Sequence, residues 1–382
     1  MEKIENNISI VNFSSYSRPA VVETTGRKYV TYGENNDYYQ YLIDRANGSP
    51  TNNSLITGIS DLIYGDGISA TNSTNKPNDY ANMVALFRKE DLKRIAIDLK
   101  MMGNCAFQVI YDKGHKTITE VAHIPIESLR SERANDDGVV DGYYYAPDWK
   151  RIGGVRKPQR ISAFGTSTDG MEILFMKPYK PGYFYYSPVD YIGGVGYAEL
   201  EEEILNYHIT NIQNGFSGTT LINFNNGQVT TNDEKIKIER KIQKKFSGTS
   251  GQKIVLSFND GVETETHMET VQLSDAHSQY EFLSNEASKK ILISHRGFGM
   301  LFGMETSTGF GNNADEIKNA SIYMNAKVIK PFQEIIIDGM DKILQFNKIS
   351  LDLFFKEQVV IWDTEMIDET NSVEKIQDEQ DK

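Results

Sequence analysis

From Asn313 to Phe346 apolar residues recur at steps of three and four, through Ile317, Ala320, Met324, Val328, Phe332, Ile335, Ile336, Met340 and Ile343. That spacing marks one face of a 3.6-residue helix. Unbroken to Phe346, such a helix is roughly 50 Å long at 1.5 Å per residue, an unusually long element for the rest of the chain to bury. Pro331 lies inside it and predicts a kink, because proline removes one backbone donor and its ring crowds the preceding turn. Asn312 or Asn313 is the expected cap, with Glu316 close behind. Ahead of the helix runs a glycine-rich stretch, LFGMETSTGFGNN. Loop-to-helix junctions of this kind often cradle phosphate on free amides. Here no Lys-Ser or Lys-Thr follows the last glycine, and Asp315 and Glu316 put negative charge where a phosphate would sit, which argues against nucleotide binding. Residues 297–313 are read instead as a mobile loop.

The chain has 382 residues, 39% hydrophobic and 24% charged, enough for two or three units with a sizeable core. No stretch approaches the roughly 20 apolar residues that span a bilayer, and MEKIENNISIVNFSS lacks the basic-then-apolar order of a signal peptide. A soluble, unexported chain with no membrane partner is expected. The single cysteine, Cys105, lies in the apolar run CAFQVIY and reads as a small buried hydrophobe. Six scattered histidines show neither H-x-x-x-H nor HExxH spacing, so neither metal nor cofactor is expected. Nothing resembles G-x-S-x-G. The carboxylates Glu199, Glu201, Glu202 and Glu203 are placed in a helix's first turn, where they complement the helix dipole. A net charge of −13 argues against a surface that grips nucleic acid, though not against one past which it slides.

Along the chain, residues 1–50 are rich in Asn, Tyr and Ser and read as an arm that orders against a partner. Helices follow from Ser54 and over Lys89–Met102, then short strands in CAFQVIYDKGHKTITEVAHIP, VVDGYYYAPDW, PQRISAF and MEILFMKP. The class is α+β. AELEEEILNYHITNIQNGF carries Leu200, Ile204, Leu205, His208, Ile209 and Ile212 at helical spacing. Residues 216–274 form an α/β insert: a strand TTLINF, a helix from Asn232 to Phe246, and strands KIVLSF and TETHMETVQL. The insert helix is basic, through Lys235, Lys237, Arg240, Lys241, Lys244 and Lys245. A further helix, SDAHSQYEFLSNEASKKILISHRG, has Tyr280, Leu283, Ala287, Ile291 and Ile293 as its apolar set. Strands ISLDLFF and QVVIW are expected to pair before an acidic tail.

In that order, YYSPVDYIGGVG, a helix ending NGFSGTTLI, the insert TTNDEKIKIERKIQKKFSGTSGQKIVL, the helix QYEFLSNEASKKILISHRGF and a glycine-rich loop before KVIKPFQEII resemble the portal proteins of tailed bacteriophages. The resemblance is to the HK97-like branch and covers about residues 90–350. It implies a portal-type subunit: 1–50 an N-terminal arm, 51–186 the wing, 187–215 and 275–296 two stem helices, and 216–274 the clip. Residues 297–313 match the tunnel loop, 314–345 the long kinked wing helix and 346–364 wing strands. A short acidic tail, 365–382, stands where many relatives carry a helical crown.

The resemblance further implies a ring of twelve subunits at one capsid vertex, through which double-stranded DNA passes in packaging and ejection. The large terminase and the head-to-tail adaptor would dock there, and the ring would meet the major capsid or scaffolding protein as the head assembles. The tunnel loop, with Met304, Glu305, Thr306, Ser307, Thr308, Phe310, Asn312 and Asn313, would touch DNA in passing. The basic clip helix would be the docking surface. No enzymatic activity is implied. Two rivals remain: a metal-dependent DNA-processing enzyme of a phage or mobile element, using Glu199–Glu203 with Asp136 and Asp137, and a head-assembly protein without a DNA channel.

Overall fold

The computed structural model describes residues 19–167, 170–213, 220–224, 236–237, 254–258, 276–304 and 314–358. The chain divides into two units, one made of residues 1–196 with 290–382 and the other of residues 197–289.

In the first unit, β1 (Val21–Val22) pairs antiparallel with β2 (Thr31–Tyr32), and α1 (Tyr38–Gly48) follows. This overturns the reading of residues 1–50 as an arm, as far as they are described. Val30, Tyr32, Tyr39, Leu42 and Ala46 are each at most 1% exposed. The tyrosines make the stretch look polar, but their rings are core material: Tyr32 stacks on Tyr186 at 4.5 Å, and the Tyr186 hydroxyl donates to the Val30 carbonyl. Helix α2 (Pro50–Tyr64) starts four residues before the expected Ser54. Ser49 caps it by accepting from the Asn52 amide, and Pro50 fixes its first turn.

Beyond β3 (Ile68–Ala70) come α3 (Pro77–Leu86), which the sequence reading missed, and α4 (Lys89–Met102), with the bounds it expected. Gly103 ends α4 in the left-handed region, and a Cβ there would stand 2.8 Å from the Pro188 carbonyl oxygen, so the position requires glycine. The next strands are β4 (Cys105–Tyr111), β5 (Ile118–His123), β6 (Leu129–Ser131), β7 (Gly142–Tyr145), β8 (Gln159–Ala163) and β9 (Met171–Met176). They form one six-stranded sheet in the order β5-β4-β9-β8-β7-β6, antiparallel except for the β8/β9 pair. Strand β4, paired on both sides by β5 and β9, is buried along nearly its whole length, as the apolar run CAFQVIY requires.

The chain enters the second unit along α5 (Val195–Gln213). Within that unit β10 (Thr220–Phe224) pairs in parallel with β11 (Ile254–Phe258), an arrangement that needs a crossover between them. Ile236 and Lys237, between the two strands, are helical; the rest of the expected helix 232–246, and the expected strand TETHMETVQL, lie outside the described residues. The chain leaves along α6 (Ala276–Ser294), antiparallel to α5: Tyr207 stacks on Tyr280 at 4.2 Å, and the Ser288 hydroxyl donates to Glu201.

Back in the first unit, α7 (Ala314–Met324) and α8 (Lys330–Phe346) are joined by a π-wound turn, Asn325–Ile329. The Lys330 amide there reaches back to the Asn325 carbonyl, one residue further than in an α-helix. At the place where the sequence predicts a kink, Pro331 therefore follows a widened turn. Of the predicted stripe, Ala320 is buried, and Met324, Val328, Phe332, Ile336, Met340 and Ile343 are buried in a core shared with α2, α4 and β4. The chain then forms β12 (Leu353–Phe355), whose partner is not QVVIW but β3, nearly three hundred residues earlier. From Val359 onward, QVVIW lies outside the described residues.

Candidate functional site

The sequence points to residues 297–313. Glu305, Thr306, Ser307, Thr308, Phe310, Asn312 and Asn313 lie outside the described residues, while Met304 and the segment leading to it are described. That segment is anchored, which corrects the expectation of a loop mobile from residue 297. Helix α6 closes with paired backbone bonds, Arg296 to Ile293 and Gly297 to Leu292, and Arg296 takes the left-handed position usually given to glycine. A 3₁₀ turn over Gly299–Leu301 follows, and the Met304 amide donates to the Gly299 carbonyl. The Phe302 ring lies so close over Gly58 of α2 that a Cβ there would come within 2.7 Å of it. Phe298 meets Tyr323 of α7 edge to face at 5.7 Å. Met304 is half-buried, so the contact expected of it belongs to an anchored segment.

Beside this anchor is a charged cluster that the sequence reading did not find. Lys100 of α4 is fully buried, and its Nζ donates to both Asp190 oxygens at 2.8 and 3.0 Å. Asp190 also accepts from Arg296 at 3.0 Å. The lysine nitrogen stands 5.2 Å from the Tyr191 ring centre and 5.5 Å from that of Phe332. Burial pulls the Lys100 pKa down, and the Asp190 charge opposes the shift. His295, also fully buried, stacks on Tyr191 at 4.2 Å, and its Nε2 donates to Asn52 Oδ1, whose amide nitrogen is turned to the Arg45 carbonyl. Its Nδ1 has no partner among the described residues. Burial, and then the Lys100 and Arg296 charges, hold His295 well below its ordinary pKa, so it is neutral. The signal available in sequence was a lysine one helical turn after Ala96 on the buried face of α4. The cluster ties the chain just before α5 to the chain just after α6; nothing in it activates a nucleophile.

The remaining sequence candidates are not brought together. Lys237 is exposed in its helical turn; Lys235, Arg240, Lys241, Lys244 and Lys245 lie outside the described residues. Helix α5 begins at Val195, so Glu199, Glu201, Glu202 and Glu203 fall in its second and third turns rather than its first, where the dipole no longer accounts for them. Asp136 and Asp137 sit in a turn whose Asn135 side chain accepts from the Asp137 and Val139 amides. Among the described residues no three His, Cys, Asp or Glu side chains gather as a metal-binding group. Cys105 is fully buried and burial pushes its thiol pKa up, as suits a core residue. No helix among the described residues is long and apolar enough to cross a membrane.

No protein-family profile matches this chain, and no curated protein matches it in sequence. Solved structures do match. A chain of the virion of the native gene transfer agent (GTA) particle superposes with a TM-score of 0.56 over 94% of this chain and 90% of that one, at 11% identity. A chain from the neck of the native GTA particle, computed with C12 symmetry, gives 0.55 over 88% and 87%, again at 11% identity. An HK97 family phage portal protein from Corynebacterium diphtheriae gives 0.45 at 12% identity, too distant to add to the fold assignment. Across nearly its whole length, this α+β chain has the fold of subunits built into the GTA particle and its neck.

Proposed function

We propose that this chain is a portal-type subunit of a virion or virion-like particle: a non-enzymatic protein that assembles into a ring at one vertex and forms the channel for double-stranded DNA. The observation that carries this reading is the fold shared over 94% of the chain with a GTA virion chain, supported by matches to chains of GTA necks computed with C12 and with C6 symmetry. The order of elements supports it. A helix leads out to a parallel-stranded insert, a second helix returns antiparallel to the first, and an anchored segment precedes a long helix. In this reading α5 and α6 are the stem helices, residues 216–274 the clip, 305–313 the loop that touches DNA, and the wing is the first unit without α5 and α6. The clip lysines and Arg240 dock the terminase during packaging and the adaptor afterwards. A net charge of −13 keeps the passing phosphates from being held, since each added cationic contact strengthens salt-dependent binding.

The test is electron microscopy of the purified full-length protein, which should show closed rings with a central channel. A subunit that stays monomeric at high concentration would count against the proposal, and rings without a channel would favour a head-assembly role. Within particles, replacing residues 305–313 by a short Gly-Ser linker should leave ring formation intact and abolish retention of packaged DNA.

A further inference from the structure

Strands β7 and β8 are joined by a stretch whose charge runs against that of the whole chain. Between residues 148 and 160 stand Lys150, Arg151, Arg156, Lys157 and Arg160 against one acid, Asp148, in a protein of net charge −13. Arg151 pairs with Asp148 at 3.2 Å, and Arg160 with Glu132 at 2.7 Å. Lys150, Arg156 and Lys157 are exposed, and none of the three forms an ion pair among the described residues.

The shape of this stretch is held by bonds of its own. Trp149 opens a 3₁₀ turn and donates its indole N–H to the Ser128 carbonyl at 2.9 Å. Its ring meets that of Tyr29 edge on at 4.9 Å, and the Arg130 guanidinium stands 4.9 Å from it. Further out, Gly153 and Arg156 exchange backbone bonds at 3.2 and 3.0 Å, with Gly154 in the left-handed region between them. Val155, at the tip, is fully exposed. A fixed turn therefore presents three unpaired cations around one apolar side chain, and a partner that docks there orders little backbone.

The chain itself contains a complement. Residues 363–382, which lie outside the described residues, carry eight Asp and Glu against two Lys, interleaved with Met366, Ile367, Val373 and Ile376. Reach is ample. The 24 residues beyond Gln358 extend to roughly 80 Å, whereas six strands at about 4.8 Å spacing make a sheet only about 25 Å across. Tethering also keeps the segment at high effective concentration over its own unit. We propose that the acidic C-terminal segment of this chain docks on its own turn 150–157, its carboxylates on Lys150, Arg156 and Lys157 and its apolar residues against Val155. A nucleic-acid backbone fits less well, since phosphates gain nothing from an apolar tip and must approach a protein of net negative charge. The contact lies within one subunit and does not depend on the ring.

Carbodiimide cross-linking of the full-length protein tests this, because the reagent joins a lysine amine to a carboxylate only where they touch. Nitrogen-15-labelled and unlabelled proteins, mixed under conditions that exchange subunits, should give links from Lys150 or Lys157 to an acid in residues 363–382, each within one isotopic form. About 0.5 M salt should reduce these links about fivefold. Arg156→Glu, which leaves both lysines in place, should reduce them about threefold with the far-ultraviolet circular dichroism unchanged. Absence of links from the turn would overturn the proposal, as would links of equal yield from the tail to Lys237 and the other clip lysines. Links between isotopic forms would assign the turn to the tail of a neighbouring copy and equally overturn it. If tail links were missing while Arg156→Glu weakened binding of a short DNA duplex, the occupant would be phosphate rather than the tail. Each of these results leaves the ring proposal standing.

Discussion

Helices α8 and α5 carry the same kind of apolar stripe and put it to opposite uses. On α8, Phe332, Ile336, Met340 and Ile343 are at most 5% exposed, packed into a core that α2, α4 and β4 complete. On α5, Leu205, Ile209 and Ile212 remain open. Periodicity reports that a helix has an apolar face, but it does not say whether that face is covered by the same chain or by another. The first unit finishes its own core, whereas the second leaves apolar side chains exposed among the described residues.

The comparison can be broken most severely where the first unit carries buried charge. Asp190→Ala strips the partner from fully buried Lys100 and should destabilise the protein by about 3–5 kcal/mol in denaturant unfolding, whereas Lys100→Met, which removes the charge itself, should cost much less. Equal losses would show that packing, not charge pairing, holds this region. Next, Ile336→Ala on α8 should cost about 2–5 kcal/mol, as a buried methyl cluster is lost. Ile209→Ala on α5, measured by the same unfolding on dissociated subunits, should stay within about 0.5 kcal/mol. Similar values at the two sites would erase the distinction between the helices.

A smaller effect tests the neutral, buried His295. Its folded pKa lies well below the ordinary 6.5, so as pH falls through about 6.5 the unfolded chain takes up the proton first. Its contribution is therefore present above that pH and lost below it, at up to about 1.4 kcal/mol per pH unit. Unfolding of His295→Gln followed from pH 7 to 5 should show a shallower decline than wild type. The smallest effect belongs to exposed Pro331: with the turn before it already π-wound, Pro331→Ala should shift unfolding by no more than about 0.5 kcal/mol.

Much of the fold was legible because local periodicity names local elements. Helix α4, the β4/β5 hairpin and the end of α8 at Phe346 all follow from spacing and turn residues. Other features had a signal that was not read. Ser49-Pro50 announces the start of α2, and the phenylalanines at 298 and 302 mark an anchored segment in what glycine content alone suggested was mobile. The β3/β12 pairing had no local signal, since strands so far apart in sequence meet only through the core between them. Nor did the partnership of Lys100 with Asp190, because a lysine on a helix face looks solvated until the residues packed over it are known. Helix α1 was hidden by tyrosines, whose hydroxyls make a stretch look polar while their rings fill a core.

Asp190, held by Lys100 and by Arg296, has one more consequence. The two points at which the first unit gives up the chain and takes it back are joined by a single carboxylate, and Gly194 is packed so tightly on Ser294 that a Cβ there would overlap the serine hydroxyl. Holding together the ends of so long an excursion costs little more when it grows, about 0.6 kcal/mol for each doubling of a flexible loop. The ends that residues 197–289 connect are thus joined within the first unit itself. A longer, shorter or differently charged module in place of residues 197–289 should therefore leave unfolding of the first unit nearly unchanged.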